Sequence, residues 1–204
     1  FAPFVDQPAF IRFTSGTTGK SKGVVVSHRS VIERIEAANK GLHLDSNSTV
    51  VWVLPMAYHF MVSIVLYVKY GAAIAIAKDF LARNIIDITN QYKGTLLYAS
   101  PLQIKLLASD TTNEQLPTLK NVISISAGIS LDVCLAFKKR FGLDVSQAYG
   151  IIEIGLPILN YTKSADHPEA VGYAVEGYSV DILDDNYQPL PAGDAGGRRG
   201  DLRR

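Results

Sequence analysis

The chain has 204 residues, of which 48% are hydrophobic and 19% charged, and its formal net charge is +1. That is enough apolar material to bury a core, which excludes a disordered chain or a coiled coil. The near-neutral balance, with no basic stripe interleaved with aromatics, excludes a nucleic-acid-binding face.

The single cysteine, Cys134, lies among Val133, Leu135, Ala136 and Phe137. One cysteine rules out a disulfide framework and fits a reducing cytoplasm, and its apolar neighbours suit core packing better than a nucleophile. The longest apolar region, 60–77, is interrupted by Lys69, Tyr70 and Gly71, so no membrane span is expected. Pro3, Asp6, Pro8 and Arg12 argue against a signal peptide at the start.

Taken in chain order, short β-branched runs alternate with segments of helical period, which predicts an α/β fold of layered sheets with flanking helices. Strands are expected at 9–13, 24–26, 50–54, 72–77, 95–99, 122–126, 145–148 and 180–183. Helices are expected at about 28–40, 60–70, 80–92, 101–109 and 130–141. Ser27 is a suitable N-cap for the first helix and Gly41 a suitable stop, while Pro101 fits the first turn of a helix leaving a strand. Beyond Asn160 the texture turns to Gly, Pro, Asp and Tyr, so 1–160 reads as a core subdomain and 161–204 as a smaller β-rich portion.

The most informative stretch is Thr14-Ser15-Gly16-Thr17-Thr18-Gly19-Lys20-Ser21-Lys22-Gly23. Its glycines let successive amides converge on an anion, its hydroxyls add donors, and its lysines supply positive charge. This is the composition of a polyphosphate cradle. The P-loop of NTPases would need glycine at position 14 and a helix after the loop. Thr14 and the strand-like Gly23-Val24-Val25-Val26 oppose that reading.

Residues Phe13 to Val24 resemble the signature loop of the AMP-forming synthetases, the superfamily of acyl-CoA ligases, peptide-synthetase adenylation domains and luciferases. Ser21 stands where that loop usually has proline. The resemblance implies that Thr14, Ser15, Gly16, Thr17, Thr18, Gly19 and Lys22 hold the phosphates of ATP, with Lys22 and Thr18 taking part in catalysis. Tyr149-Gly150-Ile151-Ile152-Glu153 is similar to the second core motif of the family. By that likeness Ala148, Tyr149 and Gly150 border the adenine, and Glu153 is catalytic and holds Mg2+. Ile152 replaces a threonine whose hydroxyl meets the α-phosphate. Ala127, Gly128 and Ile129 fall in a segment resembling the turn that lies against adenine.

Leu54-Pro55-Met56-Ala57-Tyr58-His59-Phe60 resembles the segment opening the acyl-pocket helix, which makes His59, Phe60 and Ile151 candidate substrate contacts. Residues 55–70 contain no Asp or Glu, whereas an α-amino acid's ammonium would need such a partner. An aryl or fatty carboxylic acid is therefore favoured. Arg199-Gly200-Asp201-Leu202-Arg203 resembles the ribose-gripping motif, which nominates Asp201, although it arrives about 30 residues earlier than the usual family spacing.

The implied reaction is ATP-dependent formation of an acyl-adenylate, followed by transfer to coenzyme A or to carrier-protein phosphopantetheine. In the family a lysine-bearing C-terminal domain completes the site. The chain matches the middle of a full-length enzyme, so the resemblance implies a piece that is weakly active or inactive alone. The alternative is a nucleotide-binding fragment without catalysis, favoured by Ser21 and Ile152.

Overall fold

The computed structural model describes residues 6–15, 21–191, 193 and 201–203. The chain opens with an antiparallel hairpin, β1 (Pro8–Ser15) and β2 (Ser21–Ser27), in which Thr14 pairs with Lys22 and Ser15 with Ser21. The phosphate-loop candidates Gly16, Thr17, Thr18 and Gly19 join these two strands and lie outside the described residues. β2 runs directly into α1 (His28–Leu42), and the Ser27 hydroxyl accepts the Ser30 N–H at 3.1 Å, in keeping with its suitability as an N-cap.

The expected stop before Gly41 is displaced. α1 continues through Leu42 and ends at His43, which takes the left-handed conformation with φ 52°. Gly41 serves packing instead, because a Cβ there would stand 3.0 Å from Leu159 Cδ2. The glycine lets α1 approach a neighbouring strand closely.

Seven strands form one sheet in the order β4-β3-β5-β6-β7-β8-β9. β3 (Thr49–Trp52), β4 (Ala73–Ile76), β5 (Leu96–Ala99), β6 (Asn121–Ser124) and β7 (Val145–Ile151) are parallel. β8 (Gly155–Leu159) and β9 (Tyr173–Ala174) continue the sheet antiparallel. A separate pair joins β10 (Ser179–Asp181) to β11 (Asp201–Arg203).

Alternation along the strands divides the core in two. Val50, Trp52, Leu96, Tyr98 and Ile123 face α1 and the helical segment 56–69. Val51, Leu97, Ala99, Val122 and Val145 face α4 (Ala82–Gln91), α5 (Pro101–Ala108) and α6 (Leu131–Phe141). The result is a three-layer α/β/α arrangement. Cys134 packs inside the second layer, where burial first and Glu169 second push its thiol up to about 11. That makes it a poor nucleophile at neutral pH, as its apolar neighbours suggest.

Segment 56–69 is less regular than the single helix expected at 60–70. It comprises α2 (Met56–His59), a π-helical turn (Phe60–Ile64) and α3 (Val65–Lys69), with the Val65 N–H bonded to the Phe60 carbonyl. β8 and β9 are strands that the sequence pattern does not predict, because Pro157 and the short Tyr173–Ala174 pair carry little strand signal.

Gly172 pins the return of the chain to β8. It has φ +97°, and a Cβ there would lie 2.4 Å from both Asn160 Cα and the Leu159 carbonyl oxygen. Gly172→Ala should therefore cost about 2 kcal/mol or more. Urea denaturation checks this, and an unchanged midpoint would show that the loop shifts freely.

Candidate functional site

A cavity of about 380 Å³ opens where the β1–β2 hairpin, the segment 56–69 and the β7–β8 turn meet. Its mouth carries Arg12, Phe13, Ser126, Gly150 and Glu153, and its buried side carries Leu42, Ser63, Tyr67, Tyr98, Ile125 and Leu156. Of the sequence candidates, His59, Gly150, Ile151, Ile152 and Glu153 all line this one space.

Other candidates fall around it. Ala127 and Gly128 are exposed on the turn after Ser126, and a Cβ on Gly128 would meet nothing within 4 Å. Ser126 itself holds φ +80° beside the cavity, a strained conformation for a residue with a side chain. Ile129 and Ala148 are buried in the cores on opposite faces of the sheet, so their contribution to a ligand is backbone only. Tyr149 is half-exposed on β7 next to Gly150. Phe60 faces a neighbouring groove with Phe10, Ile11 and Met56. Thr14, Ser15 and Lys22 occupy the strand ends that carry the loop, and Asp201 begins β11 opposite Asp181.

The turn between β7 and β8 is clasped by residues that no sequence motif marks. Arg34, on α1, donates from Nη1 to the Ile152 carbonyl at 2.7 Å and from Nη2 to the Glu153 carbonyl. The Tyr178 hydroxyl donates to the Ile154 carbonyl at 2.6 Å. Gly155 makes room for both, since its φ is +97° and a Cβ would stand 3.3 Å from Arg34 carbons and from the Tyr178 oxygen. The clasp fixes the backbone that carries Glu153 at the mouth. Gly150 has a local reason too, because a Cβ would lie 3.1 Å from the Gly155 carbonyl across the hairpin.

Gln147 ties the neighbouring turn to the same strand. Its Oε1 accepts the Ile129 N–H at 3.1 Å, and its Nε2 donates to the Pro168 carbonyl at 3.0 Å. On the opposite wall, Arg12 donates to the Ala57 carbonyl.

His59 is wedged edge-on against Trp52, with ring centroids 5.5 Å apart, and against Tyr98 at 6.4 Å. Burial first, and the Arg12 cation second, lower its pKa to about 4. The imidazole is therefore neutral at pH 7 and offers one donor and one acceptor. Sequence reasoning finds His59 but misses Ser63 and Tyr67. Their positions, four and eight residues further on, are the available signal for a shared face.

Among the described residues no group of three or more His, Cys, Asp or Glu is placed to hold a metal ion. A single carboxylate, Glu153, fits Mg2+ that takes its remaining ligands from phosphates and water.

If the clasp holds the turn, Arg34→Gln should speed amide exchange across 150–156 and lower stability by about 1–3 kcal/mol, read by hydrogen–deuterium exchange and thermal melting. Unfolded His59 titrates near 6.5 and folded His59 near 4, so the unfolded chain binds more protons between those values. Stability should then fall as pH drops into this window, by about 2 kcal/mol between pH 7 and pH 5, and His59→Phe should remove that slope while keeping the ring contacts. Denaturant titrations at pH 7 and pH 5 measure the difference.

The family model described as AMP-binding enzyme matches residues 2–198. The chain is 29% identical to 4-coumarate–CoA ligase 3 of Arabidopsis thaliana over 164 residues, covering 76% of this chain and 29% of the relative. It is 27% identical to luciferin 4-monooxygenase of Photuris pensylvanica over 186 residues, 88% of this chain and 34% of the relative. The crystal structure of ATP-bound MatB from Rhodopseudomonas palustris superposes with a TM-score of 0.79 at 25% identity, covering 90% of this chain and 37% of that one. The chain thus spans about a third of the length of the relatives it matches. With the family model spanning nearly all of it, the chain belongs to the AMP-binding enzyme family.

Proposed function

We propose that the protein carrying this chain activates a carboxylic acid with ATP and then passes the acyl group to a thiol, either coenzyme A or carrier-protein phosphopantetheine. The observation that carries the reading is one shared mouth. The root of the phosphate-loop hairpin, at Arg12 and Phe13, and Glu153, on the turn whose backbone Arg34 clasps, border the same cavity.

In the first step a carboxylate oxygen of the acid bonds to the α-phosphorus of ATP. The bond from that phosphorus to the bridging oxygen breaks, and pyrophosphate leaves. In the second step the thiol sulfur attacks the acyl carbon, the carbon–oxygen bond to AMP breaks, and the thiol proton passes to solvent. The chain's part in the first step is positioning and electrostatics. Lys22, on β2 beyond the loop, brings positive charge to the phosphates, and Arg34 holds the turn that presents Glu153. Mg2+, when bound there, neutralises charge on the phosphates.

The acid is aryl or fatty rather than an α-amino acid. Leu42, Ile125, Ile151 and Leu156 line the cavity, and the only carboxylate among its described lining residues, Glu153, is at the mouth. A buried ammonium would find no counterion at the far end.

Acid-dependent ATP–pyrophosphate exchange tests the reading in the full-length protein, with cinnamic, benzoic, fatty and α-amino acids compared. Lys22→Ala and Glu153→Gln should each lower the exchange rate about 100-fold or more. ATP hydrolysis indifferent to any acid overturns the proposal. Ile152, which stands at the mouth without a hydroxyl, favours one other reading, nucleotide binding without chemistry. Tight ATP binding with no exchange for any acid would select it.

A further inference from the structure

We propose that the buried end of the cavity recognises a neutral hydroxyl group at the far end of the acid, through the hydroxyls of Ser63, Tyr67 and Tyr98. The acid is then a hydroxyaryl carboxylic acid. The inference rests on the reading that this cavity receives the acid.

Ser63 and Tyr67 stand four residues apart on the helical segment, and Tyr98 comes from β5 across the cavity. All three are nearly sealed from bulk water, at 3%, 1% and 4% exposure. The Tyr67 hydroxyl is buried, and the Ser63 hydroxyl is the neighbour placed to bond it, which leaves the pair with hydrogen-bonding capacity unfilled. The Ser63 hydroxyl lies beside it, and Tyr98 shares the same cluster. Burial raises both phenols far above their usual range, so each keeps its proton and can both donate and accept.

The rest of the buried lining is apolar, from Leu42, Ile125 and Leu156. The charged lining groups, Arg12 and Glu153, are at the mouth. A charge at the far end would be desolvated without a counterion, so the acid's own carboxylate stays at the mouth. A purely hydrocarbon tail would leave the hydroxyls only one another as partners, with part of their donor and acceptor capacity unused. Sites built to hydrogen-bond a ligand hydroxyl reject the analogue lacking it, because buried polar groups are then left unpaired. A volume of about 380 Å³ accommodates one ring with a short linker.

The test is calorimetric binding of 4-hydroxycinnamate and cinnamate to the full-length protein without ATP, with 4-hydroxybenzoate and benzoate as a shorter pair. Within at least one pair the hydroxylated acid should bind about 10-fold tighter or more. Tyr98→Phe and Tyr67→Phe remove only an oxygen, and at least one should bring the ratio near unity by weakening the hydroxylated acid alone. Melting temperatures control for folding, and Ser63→Ala is a further variant if either tyrosine change unfolds the protein. Equal binding within both pairs, a ratio unmoved by every variant, or no binding of any of the four acids overturns the proposal. Selective acid binding without ATP–pyrophosphate exchange would overturn the catalytic reading and leave this one standing.

Discussion

The site depends on one buried side-chain amide. Gln147 sits on β7 at 3% exposure and hydrogen-bonds at both ends, to the Ile129 N–H on one side and to the Pro168 and Ala170 carbonyls on the other. Asn160, fully buried, repeats the device by donating to the His167 and Ala170 carbonyls, while its own N–H meets the Gln147 carbonyl. Two loops with no regular structure of their own, the turn at 126–130 and the loop at 161–171, are thereby tied to β7 and to the end of β8. An apolar residue of similar size at 147 would strand the Ile129 N–H and take the Gln147 donor from the Pro168 carbonyl, both in a buried setting.

Much of the fold is legible in the sequence because its signals are local. Ser27 as a cap, Pro101 at a first turn and the apolar runs at 50–54 and 95–99 each state their structure within a few residues. The misses have a common cause, contacts between segments distant in sequence. Gly41 looks like a helix stop and is a packing notch for Leu159, which no local pattern can reveal. β8 contains a proline and is joined to β7 by a turn only three residues long, so it reads as loop. Candidate site residues are found where a motif spells them, as at Gly150 and Glu153. Arg34, Tyr178 and Gln147 escape such a reading, because each acts through a backbone carbonyl or N–H and any sequence context can supply such a group.

The π-helical turn at Phe60–Ile64 shapes the cavity wall. A π turn widens the helix by one residue and rotates the next helical residues about the axis. Between Trp52, His59, Tyr67 and Tyr98 it leaves a tight aromatic nest, with Trp52 and Tyr98 stacked at 6.0 Å and Trp52 and Tyr67 edge-on at 5.9 Å. Such rings interlock in few ways, so the wall is stiff. Stiffness there holds the cavity to one shape.

The clasp of Arg34 on the β7–β8 turn joins residues 118 positions apart. The hairpin itself is a local structure that can form early, since β7 and β8 adjoin in sequence. Its final shape waits for a helix near the other end of the chain, and closing so long a loop is the slow, entropically expensive event in folding. The mouth of the cavity is therefore complete only once α1 has docked on this turn. A chain in which α1 has not docked lacks the bonds that position the backbone of Glu153, which couples the shape of the candidate site to completion of the whole domain.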